Sequence, residues 1–139
     1  MTPAHITELR VRYGETDQMG VVYHAEYLVY CEIGRTELIR SLGLAYAEME
    51  ARGCLLAVST ATLRFHAPAR YDDRLRIETR LTDLRSRAMT FDYVIHHGDS
   101  GARLASVRTE LIAIDPSGRP ITMPPDVRTT LRGALAEDH

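Results

Sequence analysis

Cysteine is scarce in this chain, and the little there is forms no pattern. Cys31 and Cys54 are the only two. They make no CxxC pair and no zinc-type spacing, which sets aside a disulfide framework and a zinc module and makes a reducing, cytoplasmic setting the expectation. Excess charge of one sign is also lacking. With 17 Lys+Arg against 19 Asp+Glu, the formal charge is −2, and the strongly basic face of a general nucleic-acid binder is not expected. No stretch approaches the roughly 20 apolar residues of a membrane helix, and Cys54 to Val58 is only a short strand-like run. The amino terminus, MTPAHITELRVRYG, has no apolar segment of signal-peptide type. A GxSxG elbow, a P-loop and a GxGxxG fingerprint are all absent, which removes the motif-based cases for a serine hydrolase, a nucleotide hydrolase and a dinucleotide enzyme.

What is present suffices for one core. A chain of 139 residues with 45% hydrophobic content is expected to be a single domain spanning 1–139. A cleft for a long cofactor is easier to build between two such chains than inside one. Leu9, Val11 and Tyr13 alternate with Glu8, Arg10 and Arg12, the period of a half-buried strand. After a turn-like stretch from Gly14 to Gly20 the period changes. Tyr27, Cys31, Gly34, Leu38 and Leu42 form a helical stripe, which predicts a long helix over about residues 22–42 with Gly43 as its stop. A shorter helical piece is expected from Ala45 to Arg52, ending at Gly53.

The remainder reads as strands. Leu55 to Phe65 alternates at Ala61, Leu63 and Phe65. Arg74 to Leu81 is the clearest, with Leu75, Ile77, Thr79 and Leu81 on one face and Arg74, Arg76, Glu78 and Arg80 on the other. Met89, Phe91, Tyr93 and Ile95 alternate again, and Leu104 to Ile114 is apolar on both faces, as a central strand would be. Turn signals at Gly98-Asp99-Ser100-Gly101 and Asp115-Pro116-Ser117-Gly118 separate them, and a short helix is expected from Pro124-Pro125 to about Ala136. Tight turns in place of helical crossovers predict an antiparallel sheet. The order β-α-β-β-β-β is an α+β pattern with one main helix to cover a sheet; whether the sheet curls around that helix is not a matter of period.

The segment Tyr13 to Glu32, YGETDQMGVVYHAEYLVYCE, holds the chemistry. Asp17 lies in a Gly-bounded loop just before the long helix, and Gly20 permits a tight turn there. The first turn of a helix has free backbone N–H groups and about half a positive charge, so a carbonyl placed there is polarised and an oxyanion stabilised. A carboxylate facing that spot completes the minimum equipment for acyl transfer. Taken alone, an Asp before a helix such as Asp17 is more often a cap or an Asx turn than a catalyst, and His24 more often a surface histidine at a helix start than a participant.

The run Tyr13-x-x-x-Asp17-x-x-Gly20-Val21-Val22-Tyr23-His24-Ala25-x-Tyr27 resembles the signature of the 4-hydroxybenzoyl-CoA thioesterase family, above all its Tol–Pal-associated acyl-CoA thioesterase branch. The likeness continues through Arg35-Thr36-Glu37 and through His66-Ala67-Pro68-Ala69-Arg70-Tyr71-Asp72-Asp73-Arg74-Leu75, in order, over roughly residues 6–115. It implies a hotdog fold, a curved antiparallel sheet wrapped around one long helix, paired into dimers and often homotetramers. It implies hydrolysis of an acyl-CoA thioester, with no cofactor beyond the coenzyme A carried by the substrate. Asp17 would be the catalytic carboxylate, as nucleophile through a mixed anhydride or as the base that activates water. The backbone N–H of His24, with Tyr23 as a second donor, would hold the thioester oxygen. An ordinary Asp titrates near 3.9, which suits direct attack on an activated thioester; burial would favour the base role.

Substrate binding is assigned to Gly20, Arg70, Arg85 and Arg87. Arg85 and Arg87 flank Ser86 in a turn where they could hold the coenzyme A phosphates, although a solvated loop explains them too, and Ala88 stands where relatives commonly carry a serine. Arg70 with Asp72-Asp73 could equally be a salt-bridged turn. No metal is expected, because His96 and His97 are adjacent on a strand and point to opposite faces. His66, at a strand end, can line a cleft or serve structure. Cys31 falls on the core stripe, and Glu37 is expected to pair with Arg40 or Arg35. Two other functions fit the same residues: a hotdog enoyl-CoA hydratase or dehydratase pairing Asp17 with a histidine, and a non-catalytic acyl-CoA binder. An acyl carrier protein could present the thioester in place of coenzyme A.

Overall fold

The computed structural model describes residues 4–135. In chain order it contains β1 (His5–Arg10), a 3-10 turn (Tyr13–Glu15), α1 (Glu26–Ser41), α2 (Tyr46–Ala51), β2 (Leu55–Phe65), β3 (Arg74–Leu84), β4 (Ala88–His97), β5 (Arg103–Ile114) and α3 (Pro125–Arg132). The strands form one curved sheet in the order β1-β3-β4-β5-β2, antiparallel at every junction. This is the hotdog arrangement: the sheet wraps α1, which packs on β1 and β3.

Alternation explains which face is wrapped. Leu75, Ile77, Thr79 and Leu81 of β3, Met89, Phe91, Tyr93 and Ile95 of β4, and Ala105, Val107, Thr109 and Leu111 of β5 are buried. From α1 the same core receives Tyr27, Tyr30, Cys31, Leu38 and Ile39. Gly34 makes the close approach possible. A Cβ there would sit 2.5 Å from Thr79 Oγ1 and 3.0 Å from Ile77 Cγ2, so any side chain would push the helix off β3. Beside it Arg35 is buried, its Nε donating to the Tyr46 hydroxyl at 3.1 Å and its Nη1 to the Tyr93 hydroxyl at 3.0 Å. Glu37 pairs with Arg40.

Three element ends differ from expectation. The first strand stops at Arg10, because Glu15 folds back to accept the Arg12 N–H at 2.8 Å and turns the chain away from the ladder. Tyr13 is therefore exposed. The long helix begins at Glu26, four residues later than predicted. Val22 is buried, but in a bridge: it pairs with Thr16 and donates its N–H to the Ala69 carbonyl at 2.8 Å. Apolar spacing alone does not separate a buried bridge residue from a first helical turn. The last helix ends at Arg132, and the predicted end at Ala136 lies outside the described residues.

One edge of the sheet is β2, 11 residues long with a β-bulge between Val58 and Thr60. Val58 and Phe65 on it are half exposed. Leu28, Val29 and Ile33 on α1 are partly exposed as well.

Candidate active site

The loop between β1 and α1 is a closed ring. Thr16 pairs with Val22, the Asp17 N–H donates to the Val21 carbonyl at 2.9 Å, and the Gly20 N–H donates to the Asp17 carbonyl at 3.0 Å. Gly20 closes it with a φ of 77°, a conformation in which a Cβ is strained. Asp17 Oδ1 accepts the Met19 N–H at 2.8 Å. This is an Asx turn, so the structural reading of Asp17 is realised, but it occupies one oxygen only. Among the described residues Oδ2 has no partner.

Glu15 buckles the base of the ring. It is 7% exposed, and its Oε1 also accepts the Tyr30 hydroxyl at 3.0 Å, tying the loop to the second turn of α1. Burial and the Glu15 carboxylate together push the Tyr30 hydroxyl far above the usual phenol range. The Glu15 carbonyl accepts the Tyr23 N–H at 2.9 Å. That bond corrects the assignment of Tyr23 as a second oxyanion donor, because its N–H is already spent. The His24 N–H, by contrast, meets no acceptor among the described residues, since the turn that starts the helix uses the Glu26, Tyr27 and Leu28 amides.

Asp17 and His24 line one cavity of about 370 Å³. Its other walls include Met19, Val21, Tyr27, Phe65, His66 and Pro68. Tyr27 and Phe65 meet edge to face at 5.2 Å. Tyr27 is buried, with its phenol pushed up by that burial, and its oxygen accepts the Ala69 N–H at 3.3 Å. A carboxylate with one oxygen uncommitted and a backbone N–H without an acceptor among the described residues thus belong to residues that border one largely apolar concave space, a pairing suited to acyl transfer.

The remaining candidates fall elsewhere. Arg70 is exposed and reaches the ring through its backbone, bridged to Val21; Asp73 accepts its N–H at 2.8 Å, and Asp72 faces Arg10. Arg85 and Arg87 sit at the opposite end of the sheet. Ile95 shares a row with Ala105 and Phe65 at the cavity, whereas Ala88 shares a row with Ile112 and Ala57. Seven residues of β4 separate the two rows, about 24 Å at 3.4 Å per residue. Within one chain these arginines do not reach Asp17. The Arg85 Nε is moreover paired with Asp83 at 3.0 Å, while Arg87 is exposed. His96 faces Glu78 at 3.3 Å and His97 faces Asp73 at 3.5 Å, separately. Among the described residues no group of three His, Cys, Asp or Glu side chains is placed for a metal, and no helix is long and apolar enough to cross a membrane.

Glu15 is the residue that sequence reasoning missed. A buried carboxylate in a loop leaves no spacing signal, and it stands at an unspecified position of the resembling run.

Comparison with known proteins places the chain in a family. Residues 11–131 match the family model of the thioesterase-like superfamily. A putative acyl-CoA thioesterase, YneP of Bacillus subtilis, is 35% identical over 114 residues, covering 82% of this chain and 83% of that protein. The acyl-CoA thioester hydrolase YbgC of Escherichia coli O157:H7 is 33% identical over 108 residues, 78% and 80% of the two chains. The solved structure of a DHNA-CoA thioesterase from Staphylococcus aureus superposes with a TM-score of 0.89 at 29% identity, over 94% of this chain and 89% of that one. The chain belongs to the thioesterase-like superfamily, a class of thioester hydrolases.

Proposed function

We propose that this enzyme hydrolyses acyl-coenzyme A thioesters to the free acid and coenzyme A, with Asp17 as nucleophile. The observation that carries the reading is that Asp17, whose Oδ2 has no partner among the described residues, lines the same cavity as His24, whose N–H meets no acceptor among them. Oδ2 attacks the thioester carbon, the His24 N–H takes the developing oxyanion, and the thiolate leaves. Two relatives are named acyl-CoA thioesterase and acyl-CoA thioester hydrolase, which favours coenzyme A as thiol carrier; an acyl-acyl carrier protein thioesterase of Arabidopsis thaliana, 30% identical over 138 residues, makes acyl carrier protein the second candidate. Two free, buried cysteines suit the reducing cytoplasm, where we place the protein.

The site is completed by a second copy. The open edge of β2 is long, and a long open edge is a template for pairing. Two β2 strands paired antiparallel about their centre set residue 57 of one copy opposite residue 63 of the other. The row that carries Arg87 then lies beside the row that carries the cavity, about 15 Å away across three strand spacings. Arg85 and Arg87 of the second copy reach the coenzyme A phosphates in this way, as charge-assisted pairs. The half-exposed Val58 and Phe65 are covered in the same contact.

The test is thiol release over short, long and aromatic acyl-CoAs, with Asp17→Asn alongside. Asparagine keeps the oxygen that accepts the Met19 N–H and loses the nucleophile, so the fold and acyl-CoA binding stay while turnover falls by at least about 100-fold. Near-normal turnover in that variant sinks the assignment. Hydration of crotonyl-CoA without thiol release would make the protein a hydratase, release only from acyl carrier protein would change the thiol carrier, and binding without release would leave a sensor.

A further inference from the structure

We propose that His66 is a second catalytic residue, the base that takes the water proton when the acyl group leaves Asp17; this rests on the thioesterase reading above. Once Oδ2 has attacked and the C–S bond has broken, the thiolate departs with the electron pair and the acyl group remains as a mixed anhydride on Asp17. The carboxylate is then consumed and is no longer available as a proton acceptor. Water has to attack the anhydride carbon, and its proton needs somewhere to go.

The cavity holds three other ionisable side chains: His24, Tyr27 and His66. Tyr27 is a buried phenol pushed towards its protonated form, so it is no base. The His24 ring leans on the Tyr23 ring at 4.4 Å, and its backbone N–H is the proposed oxyanion donor. His66 is held. Its backbone N–H donates to the Leu104 carbonyl at 2.8 Å, and its ring Nε2 lies 3.0 Å from the Ser106 hydroxyl on β5. A base oriented by a third group is the arrangement that activates a nucleophile. With Nε2–H donating to Ser106 Oγ, the lone pair of Nδ1 has no protein partner among the described residues. Imidazole is also the side chain that ordinarily gains and loses a proton around neutral pH.

The step then closes. The water oxygen bonds to the acyl carbon as its proton passes to Nδ1. The anhydride C–O bond breaks, which returns the Asp17 carboxylate and releases the acid. The imidazolium proton neutralises the thiolate. Thioester and water have become acid and thiol, with both groups restored.

Rapid-quench turnover of an acyl-CoA that the wild type hydrolyses tests this in His66→Ala and His66→Gln, the second of which keeps a donor for Ser106. The expected result is a burst of one thiol per site at the wild-type rate, then a steady state slower by about 100-fold. Mass analysis of the quenched protein finds the acyl group on Asp17, and added imidazole speeds the slow phase. Ser106→Ala, which keeps the ring but frees it, slows the same phase by less. Unchanged steady-state turnover in both His66 variants overturns the proposal, and so does lost turnover without a burst, which would place His66 before acyl transfer. A wild type that releases no thiol overturns the thioesterase reading and this step together, whereas wild-type release with no effect at His66 overturns the step alone.

Discussion

Asp17→Asn chains and chains carrying Arg85→Ala together with Arg87→Ala each lack a different half of the proposed site. About 24 Å of β4 lies between those halves within one chain, so they belong to different sites unless two copies share them. An arginine–phosphate bond contributes about 1.5–3 kcal/mol. Arg85 is already held by Asp83, which puts its share at the low end. Removing both therefore costs about 3 kcal/mol or more, roughly a 150-fold loss in kcat/KM. When the two inactive chains are refolded together in equal amounts, half of the dimers are mixed, and each mixed dimer has one intact site of its two. Thiol release below KM is then expected to recover to about a quarter of the wild-type value, or half for mixed dimers isolated by two tags. Activity no greater than the sum of the parents would show that each site is contained in one chain. Full activity in the arginine variant by itself would show that these side chains do not touch the substrate.

Two further outcomes follow from packing. Gly34→Ala places a Cβ 2.5 Å from Thr79 Oγ1; overpacking of about 1–3 kcal/mol outweighs the roughly 1 kcal/mol gained in helix propensity, so Tm falls by several degrees. Thr79→Ala in the same chain, removing a hydroxyl that is buried without a partner, restores most of it, and an unchanged Tm in the single variant would show that the helix does not rest on β3. Burial pushes the Cys31 thiol up to about 12 and raises that of Cys54, so neither reacts with a thiol reagent at neutral pH in the folded protein and both react in guanidinium. Native reactivity of either would refute the packing around it and would add a background to the thiol-release assay.

The amino-acid sequence determined the parts of this protein that depend on local period and local chemistry. Leu75, Ile77, Thr79 and Leu81 declared their strand and its buried face by alternation alone. The stripe from Tyr27 to Leu38 declared a helix and the side it hides, and the resembling segment around Asp17 pointed to the carboxylate and the neighbouring helix start. The sequence could not decide matters that depend on what meets what across space. That Val22 is a bridge and not a helical turn depends on Thr16 and on Ala69, which is 47 residues away. That the Tyr23 N–H is spent while the His24 N–H is free depends on where the Glu15 carbonyl comes to rest. Asp17 and His66 are far apart in the chain, and only the docking of β2's end against the β1–α1 loop brings them to one cavity. Conversely, Arg85 and Arg87 matched a binding loop by type, yet antiparallel pairing carries them to the far end of the sheet. A strand's period says which face a residue takes; its register with its neighbours decides which end of the molecule it serves.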